Sequence, residues 1–406
     1  MIALDEHPEL AVGTVPREGD DVLPVVGIFG KNASGKSNVI KAMTFAARAV
    51  RDSHQRWLPE EGVPRWPFQL DDRSRTAPST FVFDLVAEDV RYQYGFALDD
   101  ETVHVEWLYS YPFGKRRMLF MRDEALHFGD RLTGQRELIA DLVRPNSLFL
   151  SAAAANNHKQ LSVVHRWFTT YRQTSPDRTS FLPPPGVQGI SDQVLQLLRY
   201  ADLGISGARM VPPALEEWER RRALLREKRV RSTSAEDPDD VEPPPRLALV
   251  HDADTSSGEA TLPWRWESTG TQTWLYLVRS VLAALERGSL LAVDDLGTGL
   301  HPLLTAQLIK LFHEPTTNRN GAQLVFNSHD VGMLGRHYGM RLSRDQVWLT
   351  EKDSHGATRL FPLTDFRVRD GLDDVEGRYL KGRYGAVPFL DDAFLSALVD
   401  AERDDA

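Results

Sequence analysis

Val25-Val26-Gly27-Ile28-Phe29-Gly30-Lys31-Asn32-Ala33-Ser34-Gly35-Lys36-Ser37 is the stretch from which the architecture follows. It belongs to an apolar, β-branched run from Val22 to Phe29, which reads as a buried strand. The run meets a loop, Gly30 to Ser37, that matches GxxxxGK[ST] in full. A helix is predicted from about Ser37 to Val50, with Val39, Ile40, Met43, Phe45 and Ala46 on its apolar face. Strand, glycine loop and helix in that order are the context this motif demands. The glycines let backbone N–H groups converge on phosphate oxygens, and the helix start adds about half a positive charge. Lys36 would neutralise the β- and γ-phosphates, and Ser37 would hold Mg²⁺ through its hydroxyl. Gly30, Lys31, Asn32, Ala33, Ser34, Gly35, Lys36, Ser37 and Asn38 form the candidate nucleotide-binding set.

A second half of the site is legible further on. Leu290-Leu291-Ala292-Val293-Asp294-Asp295 is an apolar strand that ends in two acids. Such a strand delivers its carboxylates to the sheet's C-terminal edge, where α/β folds bind ligands. Asp294 would hold Mg²⁺, and Asp295 would orient or deprotonate the attacking water. Glu267-Ser268-Thr269-Gly270-Thr271-Gln272 sits at a helix start, with Ser268 or Thr269 as N-cap. Leu324 to Asn327 is a strand running into Ser328-His329-Asp330, from which His329 could reach a γ-phosphate.

Between these motifs the texture changes. Alternation at Phe81, Phe83 and Leu85, at Tyr92, Tyr94 and Phe96, and at Val103, Val105 and Trp107 predicts an antiparallel β-lobe near 75–130. Helices are expected over 159–171, 191–202 and 213–231. Residues 232–245 are acidic and proline-rich and read as an exposed linker. From 290 onward strands alternate with helices, which predicts a mostly parallel sheet covered by helices. The expected organisation is an ATPase lobe over 1–134, a helical insertion over 135–245, and a second ATPase lobe over 246–406.

Composition narrows the classes. Of 406 residues, 41% are apolar and 26% charged, which is a globular chain. The net charge of −10 argues against coating nucleic acid with the whole surface, though a local basic patch remains open. With no cysteine, disulfides, thiolate metal sites and cysteine nucleophiles are excluded. No run of 18 apolar residues and no secretory leader pattern is present, so a cytoplasmic protein that makes no membrane contact is expected.

Taken together, the phosphate loop, Ser268-Thr269-Gly270-Thr271, Asp294-Asp295, Leu300-His301-Pro302 and Asn327-Ser328-His329-Asp330 resemble the heads of ABC-type ATPases. Among these the chain looks like the OLD- and SMC-like ATPases of bacterial phage-defence and abortive-infection systems, over about residues 22–390. Asn146 to Ser151 and Gly382 to Pro388 also look like that family. The resemblance implies a homodimer or higher oligomer in which Ser268, Thr269, Gly270 and Thr271 of one copy touch the γ-phosphate held by the other. By that resemblance His329 is similar to the switch histidine, and Gln69 is either the glutamine that senses Mg²⁺ and water or a surface residue of its loop. It also implies a separate, RloB-like effector partner, with DNA or RNA as a further candidate ligand. Two positions depart from the family pattern. The usual glutamate after the Mg²⁺ aspartate is here Asp295, shorter by one methylene, and Gly297 stands where an aspartate often sits. A carboxylate pulled back by about 1.5 Å can cost about 10²-fold in rate.

Three functions follow: an ATPase whose ATP-dependent dimerisation controls an effector, a RecF- or SMC-like DNA-repair or DNA-sensing ATPase, and an ATP-gated scaffold or antitoxin with little turnover. The DNA reading would use Arg220, Arg221 and Arg222 in a segment that otherwise reads as a solvated helix. His251, Asp252 and Asp254 read as an exposed polar loop, and Tyr379 to Pro388 as either a partner-binding loop or ordinary packing.

Overall fold

A computed structural model of the chain describes residues 22–175, 190–201, 203–212, 219, 246–369 and 373–388. The expected helix over 213–231, with Arg220 to Arg222, and the linker over 232–245 lie outside the described residues, Glu219 apart. The chain divides into two compact units, one drawn from Met1–Gln173, Ala284–Gly297 and Ala306–Ala406, the other from Thr174–Ala283 and Thr298–Thr305.

The first unit opens with β1 (Val25–Phe29), buried along its whole length, and α1 (Lys36–Arg56). After the short α2 (Asp72–Thr76) come β2 (Ser79–Ala87), β3 (Val90–Leu98), β4 (Val103–Ser110), β5 (Arg117–Arg122) and β6 (Leu126–Phe128). These five pair antiparallel in sequence order. The predicted β-lobe is therefore present, because alternating aromatics give each strand one face to bury. Phe81 stacks on Phe96 with centroids 5.1 Å apart and tilts against Phe45 of α1 at 5.4 Å. The helices α3 (Arg136–Ala140), α4 (Phe149–Ala155) and α5 (Lys159–Thr170) complete this core, followed by β7 (Arg172–Thr174).

The lobe carries one buried acid. Glu106 is fully enclosed, accepts from the Phe149 and Leu150 amides at 2.6 and 2.9 Å and from the Tyr94 hydroxyl at 2.9 Å, and stands 3.9 Å from Arg122. Its carboxylate thus satisfies donors at the start of α4 that the helix itself cannot.

In the second unit, α6 (Asp192–Tyr200) is followed by β8 (Ile205–Val211), β9 (Arg246–Asp252) and β10 (Glu259–Pro263), a three-stranded antiparallel sheet ordered β10-β9-β8. The region expected to be mainly helical thus carries two strands, β7 and β8, and His251 and Asp252 lie in β9 rather than in a loop. β8 pairs with a strand about forty residues further along the chain, a contact that no local pattern encodes. α7 (Thr269–Arg287) follows.

The remaining elements are β11 (Leu290–Val293), α8 (Pro302–His313), β12 (Gln323–Asn327), β13 (Val347–Lys352), β14 (Thr358–Pro362) and α9 (Val375–Leu380). The main sheet is ordered β14-β13-β1-β12-β11-β7. β1 runs parallel to both β12 and β13, β11 is parallel to β12, and the hairpin partner β14 runs antiparallel to β13. This is the α/β architecture expected, a parallel-dominated sheet with helices, along with two antiparallel sheets. Its central strands β1, β12 and β11 are apolar almost throughout, as parallel strands covered on both faces must be. The candidate interface loop instead packs on itself. Tyr379 and Tyr384 are buried, the Tyr379 hydroxyl donates to Ala386 O at 3.0 Å, and Arg378 grips Asp373 with two bonds of 2.9 Å. Among the described residues no helix is long and apolar enough to cross a membrane.

Candidate functional site

Parallel order places the C-terminal ends of β1, β12 and β11 side by side, and each end carries polar residues. β1 runs into the loop at Gly30, β11 into Asp294-Asp295, and β12 into Asn327-Ser328-His329.

Packing forces glycine into the loop. Gly35, the residue before α1, has φ of 102°, and a Cβ there would strike the Thr358 side chain. At Gly30 a Cβ would strike Thr350 and Ser34. The loop is tied from β13 and β14. Thr350 Oγ1 donates to Phe29 O at 3.3 Å and meets Ser34 Oγ at 2.6 Å, while Thr358 Oγ1 donates to Ser34 O at 3.0 Å. The backbone amides at the start of α1 are thereby fixed where an anion would meet them.

Lys36 is 5% exposed. Its Nζ donates to Gly30 O at 2.7 Å and to Lys31 O at 3.1 Å, and its third direction faces His329 Nδ1 at 3.5 Å. Burial lowers the Lys36 ammonium below its ordinary value, against the opposing pull of Asp295 and Asp294. With Nδ1 turned toward the Lys36 ammonium, the His329 ring directs Nε2 the other way. That Nε2 lies 3.4 Å from Asp295 Oδ1, so Lys36, His329 and Asp295 form one continuous series.

Asn327, fully buried, joins the two strand ends. Its Nδ2 donates to Asp294 Oδ1 at 2.6 Å, and its Oδ1 accepts the Asp295 amide at 2.6 Å. The Leu296 amide donates to Asn327 O at 2.9 Å, and Ser328 Oγ donates to Leu296 O at 2.8 Å. These bonds hold Asp295 at φ of 60°, a left-handed conformation that a non-glycine residue keeps only when its surroundings impose it. Nothing in the local sequence assigns a role to Asn327, Thr350 or Thr358. The tie between β12 and β11 could be suspected only from a buried amide following a strand.

The donor set fits a nucleoside triphosphate: fixed loop amides, a buried ammonium, the Ser37 hydroxyl and two carboxylates on a neighbouring strand end. Among the described residues no group of three or more His, Asp or Glu could hold a metal alone. A Mg²⁺ at Ser37 and Asp294 would therefore need phosphate oxygens and water to complete its shell.

The other expected residues fall elsewhere. Gln69 is exposed, its Nε2 donates to Pro67 O at 3.1 Å, and its own carbonyl accepts from Arg75 at 2.9 and 3.0 Å. No bond joins it to Ser37 or Asp295 among the described residues. Ser268 to Thr271 belong to the second unit. There Ser268 Oγ accepts the Thr271 amide at 3.0 Å, which is the predicted N-cap, and Ser268 and Thr269 are exposed. Just before them Glu267, buried, meets His251 Nε2 at 2.9 Å, and Gln272 Nε2 donates to Trp264 O and Glu267 O.

A search of the curated proteins returns no match. The family model described as "AAA domain, putative AbiEii toxin, Type IV TA system" matches residues 25–334, from the start of β1 to just beyond His329. That span is well over half of the chain, and the protein belongs to this family, a group of P-loop ATPases of the AAA and ABC-like kind.

Proposed function

We propose that this AAA-family member binds ATP with Mg²⁺ at the three strand ends, hydrolyses it, and uses ATP-dependent pairing of two copies to control an effector in anti-phage defence. The observation that carries the reading is the series Lys36, His329, Asp295 beside Asp294 and Asn327.

The loop amides and Lys36 bind the phosphates, with Lys36 exchanging the Gly30 and Lys31 carbonyls for phosphate oxygens. Ser37 and Asp294 would hold Mg²⁺, which when bound neutralises charge on the β- and γ-phosphates. Asp295 accepts a proton from the attacking water, and His329, with Nε2 3.4 Å from Oδ1, steadies that carboxylate. Asn327 fixes the separation of the two acids. The exposed start of α7, a helix N-terminus carrying Ser268, Thr269, Gly270 and Thr271, suits a γ-phosphate presented by a second copy. The family's description names a toxin–antitoxin system, which supports a separate protein partner, and by resemblance to OLD- and SMC-like defence ATPases that partner would be RloB-like. The working organisation remains an ATPase lobe over 1–134, an insertion over 135–245 and a second ATPase lobe over 246–406.

Mass in solution by light scattering, with Mg²⁺ and with or without ATP, beside phosphate release from the same sample, tests this. ATP-dependent dimers that release phosphate, both lost in Lys36→Ala, are expected. A monomer unaffected by ATP overturns the pairing, and dimers without phosphate release overturn the hydrolytic part.

A further inference from the structure

Away from the strand ends, α1, α4 and α5 enclose a cleft of about 430 Å³. Arg51 lies 15 residues beyond Lys36 on the same helix, about 22 Å along its axis, so this cleft is distinct from the phosphate loop. Apart from Ala154 and Ala155 its lining is polar, with Gln55, Ser162 and Thr169 among the arginines.

The charge is one-sided in a chain of net −10. Arg48, Arg51, Arg56 and Arg166 gather on α1 and α5 against Asp52 and Glu88. Asp52 takes Arg51 with two bonds of 3.0 and 2.8 Å and meets Arg56 at 3.6 Å. Arg166 meets Glu88 at 3.4 Å with both side chains about two-thirds exposed, a weak pair. Arg172 is crowded by the like charges of Arg287 and Arg51.

Arginines at helix ends often only offset the helix dipole, but here other groups serve those ends. Arg144 Nη2 donates to the Ser53, His54 and Trp57 carbonyls at the C-terminal end of α1, Arg172 Nη1 donates to the Thr169 and Tyr171 carbonyls at the end of α5, and Asn156 Nδ2 donates to Ala152 O of α4. Arg51, Arg56 and Arg166 are left facing the cleft.

We propose that this cleft binds the phosphodiester backbone of single-stranded nucleic acid without reading its bases. Arginine with hydroxyl and amide side chains is the donor set that phosphate and sugar contacts use. No Phe, Tyr or Trp lines the cleft for a base to stack on, His165 being the one ring among its lining residues, and its two apolar residues, Ala154 and Ala155, are too small to anchor a peptide. The volume suits one strand rather than a duplex.

Fluorescence anisotropy of a labelled 20-nucleotide oligothymidylate on the full chain, between 50 and 200 mM NaCl, tests the assignment. With about three phosphates neutralised, the slope of log K against log salt is about −2, a loss of about 20-fold over that range. R56E/R166E weakens binding at least about tenfold and brings the slope above about −1, whereas R56K/R166K keeps both near wild type. K36A binds the oligonucleotide as wild type does. Unchanged binding by R56E/R166E, equal loss in the lysine pair, or loss in K36A overturns the assignment. So does equally tight competition by inorganic triphosphate, which would mark a small-anion site, or by polyglutamate, which would mark an acidic protein segment.

Discussion

Replacing Asn327 tests the reading of the strand-end site most directly. Its two 2.6 Å bonds are of different kinds. The one to the Asp294 carboxylate is charge-assisted and contributes about 1.5–3 kcal/mol, and the one from the Asp295 amide contributes about 1 kcal/mol. Asn327→Ala should therefore destabilise the chain by about 2.5–4 kcal/mol in denaturant melts. It should also release Asp295 from φ near 60°, so the Mg²⁺ needed for half-maximal phosphate release should rise. Asn327→Asp separates the two bonds. It keeps the acceptor for the Asp295 amide but sets a second carboxyl against Asp294, and only its protonated form can donate. The folded variant then holds a proton that the unfolded chain does not, so its stability should fall more steeply than that of wild type as pH rises from about 5 to 8. Melts of Asn327→Ala within about 0.5 kcal/mol of wild type, with unchanged Mg²⁺ dependence, would refute the reasoning.

Two further outcomes are expected. If reach limits the water step, Asp295→Glu raises phosphate release, by up to about 10²-fold, and an unaltered rate with intact ATP binding removes Asp295 from that step. Burial holds the Glu106 carboxyl above its ordinary range despite Arg122 and the Phe149 and Leu150 amides. The folded chain therefore binds that proton more tightly than the unfolded one, and Glu106's contribution is largest below the ordinary carboxylate range and declines as pH rises through the raised folded value. Glu106→Gln presents an N–H to a helix-start amide and costs about 1–3 kcal/mol at neutral pH; melts from pH 4 to 8 should show this pH slope in wild type and not in the variant.

Two contiguous signals were enough to place the fold class. A strand, a full GxxxxGK[ST] loop and a helix must lie consecutively for the loop to work, so the sequence carries them together. The apolar strand ending in Asp294-Asp295 is equally local, and the alternating aromatics made the β-lobe legible because a pleated strand buries every second residue. The sheet of β8, β9 and β10 was not legible, because β8 finds its partner across residues 212–245. The chemistry of the site lay further out of reach. Ser34 and Thr350 touch although 316 residues separate them, and Lys36 meets His329 across 293. The sequence by itself determined which backbone could cradle a phosphate and which acids would stand at a sheet edge, since both depend on neighbours along the chain. That Asn327 holds the two acids, that His329 stands between Lys36 and Asp295, and that arginines of α1 and α5 converge on one cleft came from three-dimensional packing alone. Those properties depend on distances between strands and helices, and the order in which a sheet is assembled sets such distances.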